Sequence, residues 1–336
     1  MWSAGQAELA GSGLVSKSVQ ALLQTRSELD LNAEWSRLIK SGYELVTWDD
    51  PDYPVPLREI PASPPVLYLW GTLEPKDRWA VAIVGTRGMT AYGHAVAEEI
   101  AFALASQGIT VVSGLARGID AVAHRAALRA GGRTLAVLGS GLDRMYPPEH
   151  RGLAEQIASA GCVISDYPLG TEPGSGNFPP RIRIISGLCR VVAVIEAGES
   201  SGALITAGFA AEQGRDVFAV PGEIHSPKSR GTNRLIRDGA FPLLSVEDVL
   251  EALNLELAIH QEVVQRTLPA NEAERRLLEA MSEEPVHIDS LGAEIDMPAS
   301  GLAASLALLE LKGLVRQVGG MHYVLARETG ATYKLE

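Results

Sequence analysis

The chain has almost no cysteine: Cys162 and Cys189 are the two in 336 residues. They form neither a C-x-x-C pair nor any zinc-ligand spacing, and a disulfide framework needs many more. Both are expected as small core residues in a reducing cytoplasm. Long apolar runs are also missing. No stretch approaches the ~18 uninterrupted apolar residues of a membrane span, and the N-terminus lacks a basic segment followed by an apolar core and a small-residue cleavage site. Membrane insertion and secretion are not expected. Basic charge is scarce, with 29 Lys+Arg against 41 Asp+Glu and a formal net charge of −12, which taken alone opposes a polyanionic partner. Tryptophan is confined to positions 2, 35, 48, 70 and 79, so none is expected to mark the core built by the residues beyond position 79.

The distribution of charge along the chain changes that reading. The composition, 46% hydrophobic and 21% charged, is that of a folded globular chain, and the length suits one large domain with small satellites. Residues 1–76 carry 6 cations against 10 anions, residues 77–243 carry 16 against 15, and residues 244–336 carry 7 against 16. The middle alone is not acidic. No lysine occurs between Lys76 and Lys228, so every formal cation there is an arginine, whose planar fork suits bidentate phosphate contact. A codon bias toward arginine accounts for the pattern equally well.

From Ile83 onward short apolar runs alternate with helical stretches. Strands are expected at 81–84, 109–112, 134–138, 162–165, 191–196 and 217–220, with helices at 91–106, 119–130, 149–160, 182–188 and 202–213. Strict alternation means parallel strands, right-handed crossovers and helices on both faces. The expected fold class is α/β, a Rossmann-like doubly wound parallel sheet with a small N-terminal helical module and a C-terminal winged-helix domain. Asp49 to Pro65, rich in proline and aspartate, reads as an extended connection. Three short helices and a β-ribbon around Gly319-Gly320 in the last 60 or so residues have the plan of a winged helix. The expected boundaries are 1–72 for the front module and linker, 73–245 for the Rossmann-like domain, 246–268 for an acidic connector, 269–327 for the winged helix and 328–336 for a tail.

In an open parallel sheet, ligands bind beyond the carboxyl ends of the strands. Four glycine loops stand there: Gly85 to Gly93, Ser113 to Gly118, Gly139 to Gly141 and Gly198 to Gly202. Glycine lets a backbone approach a ligand, and helix N-termini favour anions. With Arg87 and Arg117 among them, these loops are expected to bind phosphate. A nicotinamide site fails on two residues, since Arg144 stands at the third glycine of G-x-G-x-x-G and Ser113 where an acidic residue would hold the ribose. A hydrolase of nucleotide glycosidic bonds, with its P-G-G-x-G-T-x-x-E loop, would place Gly202 on the last glycine and Thr206 on the glutamate. Asp120 and His124 lie one helical turn apart, but no serine or cysteine has an assigned base, and His124 reads as a partly exposed surface residue. The pattern suggests binding without turnover.

Tyr53-Pro54, Pro64 to Tyr68, the glycine loops, Asn177 to Leu188, Ser201 to Ala207 and Phe218 to Gly222 together resemble the DNA processing protein A family over residues 53–240. The resemblance implies a recombination mediator of natural transformation that binds and protects incoming single-stranded DNA, forms a homodimer through its Rossmann-like domain and loads RecA. It implies no enzyme, catalytic residue, metal or cofactor. Ile182 stands where the family's F-P-x-R-N-R motif has asparagine, residues 1–45 lack a clear helix-hairpin-helix glycine pattern, and the third winged-helix helix offers only Lys312 as a cation. Duplex binding is therefore expected to be weak or absent. The DNA-binding candidates are Gly85, Thr86, Arg87, Ser113, Gly114, Arg117, Gly118, Phe178, Arg181, Arg183, Gly202 and Thr206. Phe178 is the aromatic for base stacking, or a plug closing the loop over the sheet. Arg181 and Arg183 contact the strand or face solvent on the following helix. Lys228, Arg230, Arg234 and Arg237 extend the track or form a solvated helix face. Leu235 and Ile236 are the candidates for self-association, or they pack on the domain. A nucleotide hydrolase and a nucleotide-sensing scaffold are the alternative functions for the same rim.

Overall fold

The computed structural model describes residues 4–253, 272–281, 285–295, 297, 299–311 and 314–325. The chain divides into two units, Met1–Leu253 and Asn254–Glu336. The first opens with α1 (Gln6–Gly11), α2 (Ser16–Glu28) and α3 (Leu31–Ser41), then β1 (Glu44–Thr47), α4 (Val55–Arg58) and β2 (Val66–Gly71). Strands and helices then alternate: β3 (Ala80–Val84), α5 (Ala91–Ser106), β4 (Val111–Ser113), α6 (Ile119–Arg129), β5 (Thr134–Val137), α7 (Arg151–Ala160) and β6 (Cys162–Ser165). The alternation continues through α8 (Phe178–Gly187), β7 (Cys189–Val194), α9 (Gly202–Glu212), β8 (Asp216–Ala219), α10 (Arg230–Arg237) and β9 (Phe241–Pro242).

Among the described residues the sheet runs β1-β2-β6-β5-β4-β3-β7-β8-β9. From β6 to β9 neighbours are parallel, whereas β2 is antiparallel to both β1 and β6. Parallel strands covered on both faces are continuously apolar, and β3, Ala80 to Val84, is buried at every position. One face packs on α5 and α6 through Ile83, Ile100, Leu104 and Ile119. The other packs on α8 and α9 through Val192, Ile184, Ile185 and Ala207. Cys162 and Cys189 are free and buried in that second core, and burial pushes the Cys162 thiol up to about 12.

The segment expected as module and linker contributes more than its composition suggests. Two of its strands join the sheet, and the proline-rich connection is packed rather than extended. Tyr53, Leu57 and Ile60 are buried in the α8–α9 core, with Tyr53 Oη donating to the Pro64 carbonyl (2.6 Å). Trp70 on β2 also packs against the sheet, tilted on Tyr43 at 5.8 Å between ring centroids.

The second unit holds α11 (Glu272–Ala280), β10 (Val286–His287), α12 (Ile288–Ile295), α13 (Ala299–Leu311), β11 (Val315–Gly319) and β12 (His322–Leu325). Its sheet has the order β10-β12-β11, over a core of Leu277, Leu291, Leu302, Leu306 and Leu309. The hairpin turns at Gly320-Met321, φ +55° and +59°, one residue beyond the expected glycine pair. Both central residues are left-handed, as the twist of a two-residue hairpin demands. Lys312, residues 254–268 of the connector and the tail 328–336 lie outside the described residues.

Candidate nucleic-acid interface

Strand order reverses at β3, with β4 on one side and β7 on the other, so the loops after β3 and β7 part and leave a crevice. Thr90 sets one wall: its hydroxyl accepts from the Gly93 N–H (3.1 Å) and caps α5. The buried Glu196 carboxylate, just beyond β7, ties that loop down by accepting from the Thr90 N–H and hydroxyl, both at 2.8 Å. Ser201 caps α9 through the Ala203 N–H (3.3 Å). Between them lies a cavity of about 660 Å³ whose lining includes Gly85, Thr86, Arg87, Arg181, Gly202 and Thr206. Lys228 and Arg230 line it as well, which brings the first half of the basic run onto the rim. Lys228 Nζ stands 3.4 Å from where a Cβ on Gly88 would be. Four cations thus face two carboxylates, Asp120 and Glu199, with the N-terminus of α9 opening into the same space.

Several expected phosphate contacts serve the fold instead. Arg181 is 6% exposed. Its Nη1 donates to the carbonyls of Gly114 (2.9 Å) and Val137 (3.3 Å), and burial lowers its pKa to about 10 despite the neighbouring Asp120. Arg183 turns away from the cavity to Asp166 (2.8 Å). Arg117 is exposed but paired with Glu149 at 2.5 Å; it lines a small notch beside the cavity with Arg87, Tyr146 and Arg181. Ser113 is buried and its hydroxyl donates to the Ile83 carbonyl (2.6 Å). Phe178 begins α8, and its side chain lies outside the described residues.

The glycines divide in the same way. A Cβ on Gly85 would meet Ile119 at 2.6 Å, and one on Gly114 would meet Arg181 and Asp120 at 2.9 Å. Protein atoms fill the space expected to admit a ligand. The Gly114 and Ala116 N–H groups donate to Asp120 Oδ2 (3.1 and 3.3 Å), so Asp120 occupies the anion position of that loop. Gly202 differs: nothing stands within 4 Å of its Cβ position.

His124 is fully buried rather than partly exposed. The Thr134 hydroxyl donates to the Val111 carbonyl (2.7 Å), so His124 Nδ1 donates to Thr134 Oγ1 (2.6 Å). Nε2 carries the lone pair and meets no hydrogen-bond partner among the described residues. Burial, then His150 and Arg125, depress its pKa from 6.5 to about 3. The unfolded chain takes up this proton first as the pH falls below about 6.5, so stability is lost between pH 7 and pH 3. At pH 5 the loss is about 2 kcal/mol. Urea unfolding at pH 7.5 and pH 5 is expected to show that difference in the native protein and not in His124→Asn; equal pH dependence of the two would remove the assignment.

The family profile described as DNA recombination-mediator protein A matches residues 44–254, and that of the DprA winged helix domain matches residues 263–321. Protein Smf from Synechocystis is 38% identical over 347 residues, which cover 93% of this chain and 87% of that protein. The X-ray structure of DNA processing protein A from Streptococcus pneumoniae is similar with a TM-score of 0.67 at 39% identity, over 73% of this chain and 85% of that one. A structure describing the single-stranded DNA binding mode of DNA processing protein A from Helicobacter pylori is similar with a TM-score of 0.57 at 28% identity, over 65% of this chain and 96% of that one. With the mediator profile spanning the nine-stranded unit from β1 onward and the winged-helix profile falling on the second unit, this chain belongs to the DNA recombination-mediator protein A family.

Proposed function

We propose that this chain binds single-stranded DNA across the β3–β7 crevice without turning it over, protects incoming strands and loads RecA onto them during natural transformation in the cytoplasm. The observation that carries the reading is the cationic cavity itself, where Arg87, Lys228 and Arg230 converge on a topological switch point. The Helicobacter pylori relative with a described single-strand binding mode supports it. Arg87→Ala and Lys228→Ala are each expected to cost about 1.5–3 kcal/mol, roughly 10- to 150-fold in affinity, as losses of charge-assisted phosphate contacts. A labelled oligonucleotide titrated at fixed moderate salt measures this, and the loss should be the same for different base sequences. Native affinity in both variants would place the strand elsewhere.

The geometry favours a binder over a hydrolase. Asp120 is tied to two backbone N–H groups and faces Arg181, and His124 is buried against Thr134. Asp120 lines the cavity but its carboxylate is held by the Gly114 and Ala116 N–H groups, and the His124 imidazole is not among the lining residues. Release of free base from nucleoside monophosphates would overturn this. Binding of mononucleotide but not oligonucleotide would favour a nucleotide-sensing scaffold. Duplex affinity is proposed to be weak, because α13 reads ASGLAASLALLEL, with no cation to displace counterions.

Self-association is proposed on the α10–β9 side, where β9 is the edge strand of the sheet among the described residues. Leu235 is half-buried and packs against the core, which supports the packing alternative for that side chain. Ile236 is half-buried, and Phe241 on β9 and Leu244 just after it are 52% and 73% exposed. Ile236→Glu is expected to sediment as a folded monomer; a folded dimer would remove the assignment.

A further inference from the structure

The cavity is two-sided in chemistry as well as in shape. Arg87 and Lys228 stand together on one side, close enough that Lys228 Nζ approaches Gly88. The helices α8 and α9 supply Ile182, Ile185 and Ile205 to the lining. Ile185 is buried and belongs to the core beneath. Ile205 is 45% exposed and Ile182 is half-buried, so both present branched apolar surface to the cavity. Phosphate has no use for such surface, since a charged oxygen placed against it loses water and gains no donor. A nucleobase does: its faces are apolar and its polar atoms lie at the edge, still reached by water or by the rim.

We infer that the cavity seats unpaired nucleobases against Ile182 and Ile205 while the phosphates of the same strand lie on Arg87, Lys228 and Arg230. This rests on the single-strand reading above and adds the direction in which the strand faces. It makes base-face burial a selective element. In a duplex the same faces are stacked on neighbouring pairs and cannot reach the helix wall, so duplex is discriminated against by shape even where its phosphates meet the cations.

The test compares a thymine oligonucleotide with an abasic strand of the same length and phosphate count, at one salt concentration, for the native protein and for Ile205→Ser, Ile182→Asn and Arg87→Ala. The native protein is expected to prefer the base-bearing strand at least tenfold, with parallel salt dependence for the two strands because both release the same counterions. Ile205→Ser and Ile182→Asn are expected to shrink that preference several-fold while leaving abasic affinity unchanged, and Arg87→Ala to weaken both strands alike. Ile205 is exposed, so its serine variant retains the native melting temperature, and the two isoleucine variants check each other. Equal native affinity for the two strands would overturn the inference and leave the single-strand reading standing. Failure of the native protein to hold either strand would overturn that reading and the inference with it.

Discussion

Arg181→Leu is expected to destabilise the first unit by about 3–5 kcal/mol, the cost of removing one partner from a buried charge pair. Leucine satisfies neither the Gly114 nor the Val137 carbonyl that Arg181 Nη1 now holds. It also leaves Asp120 facing an apolar neighbour, although burial already raises that carboxyl and Arg181 is the strongest influence opposing the rise. Urea denaturation measures the loss. Adding Asp120→Asn should recover part of it, because the charge stranded by the first change is then gone, with a coupling of about 1 kcal/mol or more. Loss of DNA affinity with native stability would mean that Arg181 is an exposed phosphate ligand after all.

Gly118→Ala is expected to cost about 2–5 kcal/mol, combining a backbone conformation closed to other residues with a steric clash. Gly118 has φ +82° and ψ −133°. Its Cβ would lie on the Thr86 carbonyl oxygen and 2.7 Å from Arg87 Cα. Relief requires the Thr86-Arg87 segment to move, so oligonucleotide affinity should fall in the fraction that remains folded. Gly202→Ala is the matched control. Open space surrounds that position, and its stability should stay within about 0.5 kcal/mol of native. Equal behaviour of the two variants in denaturation and binding would discard the distinction between packing glycines and cavity glycines.

The sheet is legible in the chain because doubly covered parallel strands are written as unbroken apolar runs: β3, β5, β6 and β7 are expected and found within a residue or two. The winged helix is legible from helical periodicity and a glycine turn, although the turn itself sits at Gly320-Met321. Strand β2, VLYLWG, carries the same apolar signature but follows a segment whose prolines and aspartates read as a connection, and its antiparallel pairing breaks the alternation from which the sheet is read. Strand β1, ELVT, is a short border strand with no residue fully buried, a pattern that composition cannot separate from a linker. Within the site, glycine content marks the right rim but not the direction in which each glycine faces. Gly85 and Gly114 open toward Ile119 and Arg181, and Gly202 toward the cavity. Arginine identity is equally silent about partners. Arg117 and Glu149 are 32 positions apart, and Arg183 and Asp166 are 17 apart; only the rotation of α8 and the course of the loop before α7 bring them together.

The antiparallel pairing of β2 with β6 sets a delay in synthesis. Tyr68 pairs with Ser165, so the apolar segment Val66–Gly71 leaves the ribosome long before its partner exists. At about 5–20 residues per second, translating the intervening ~100 residues takes about 5–20 s. During that interval β1 is the only sheet neighbour β2 can have, and a lone two-stranded hairpin is marginal in water. The nascent chain therefore displays Leu67, Leu69 and Trp70 to chaperones and to other nascent chains until β6 arrives. The β1–β2 border is thus made early and joined to the sheet only when β6 emerges.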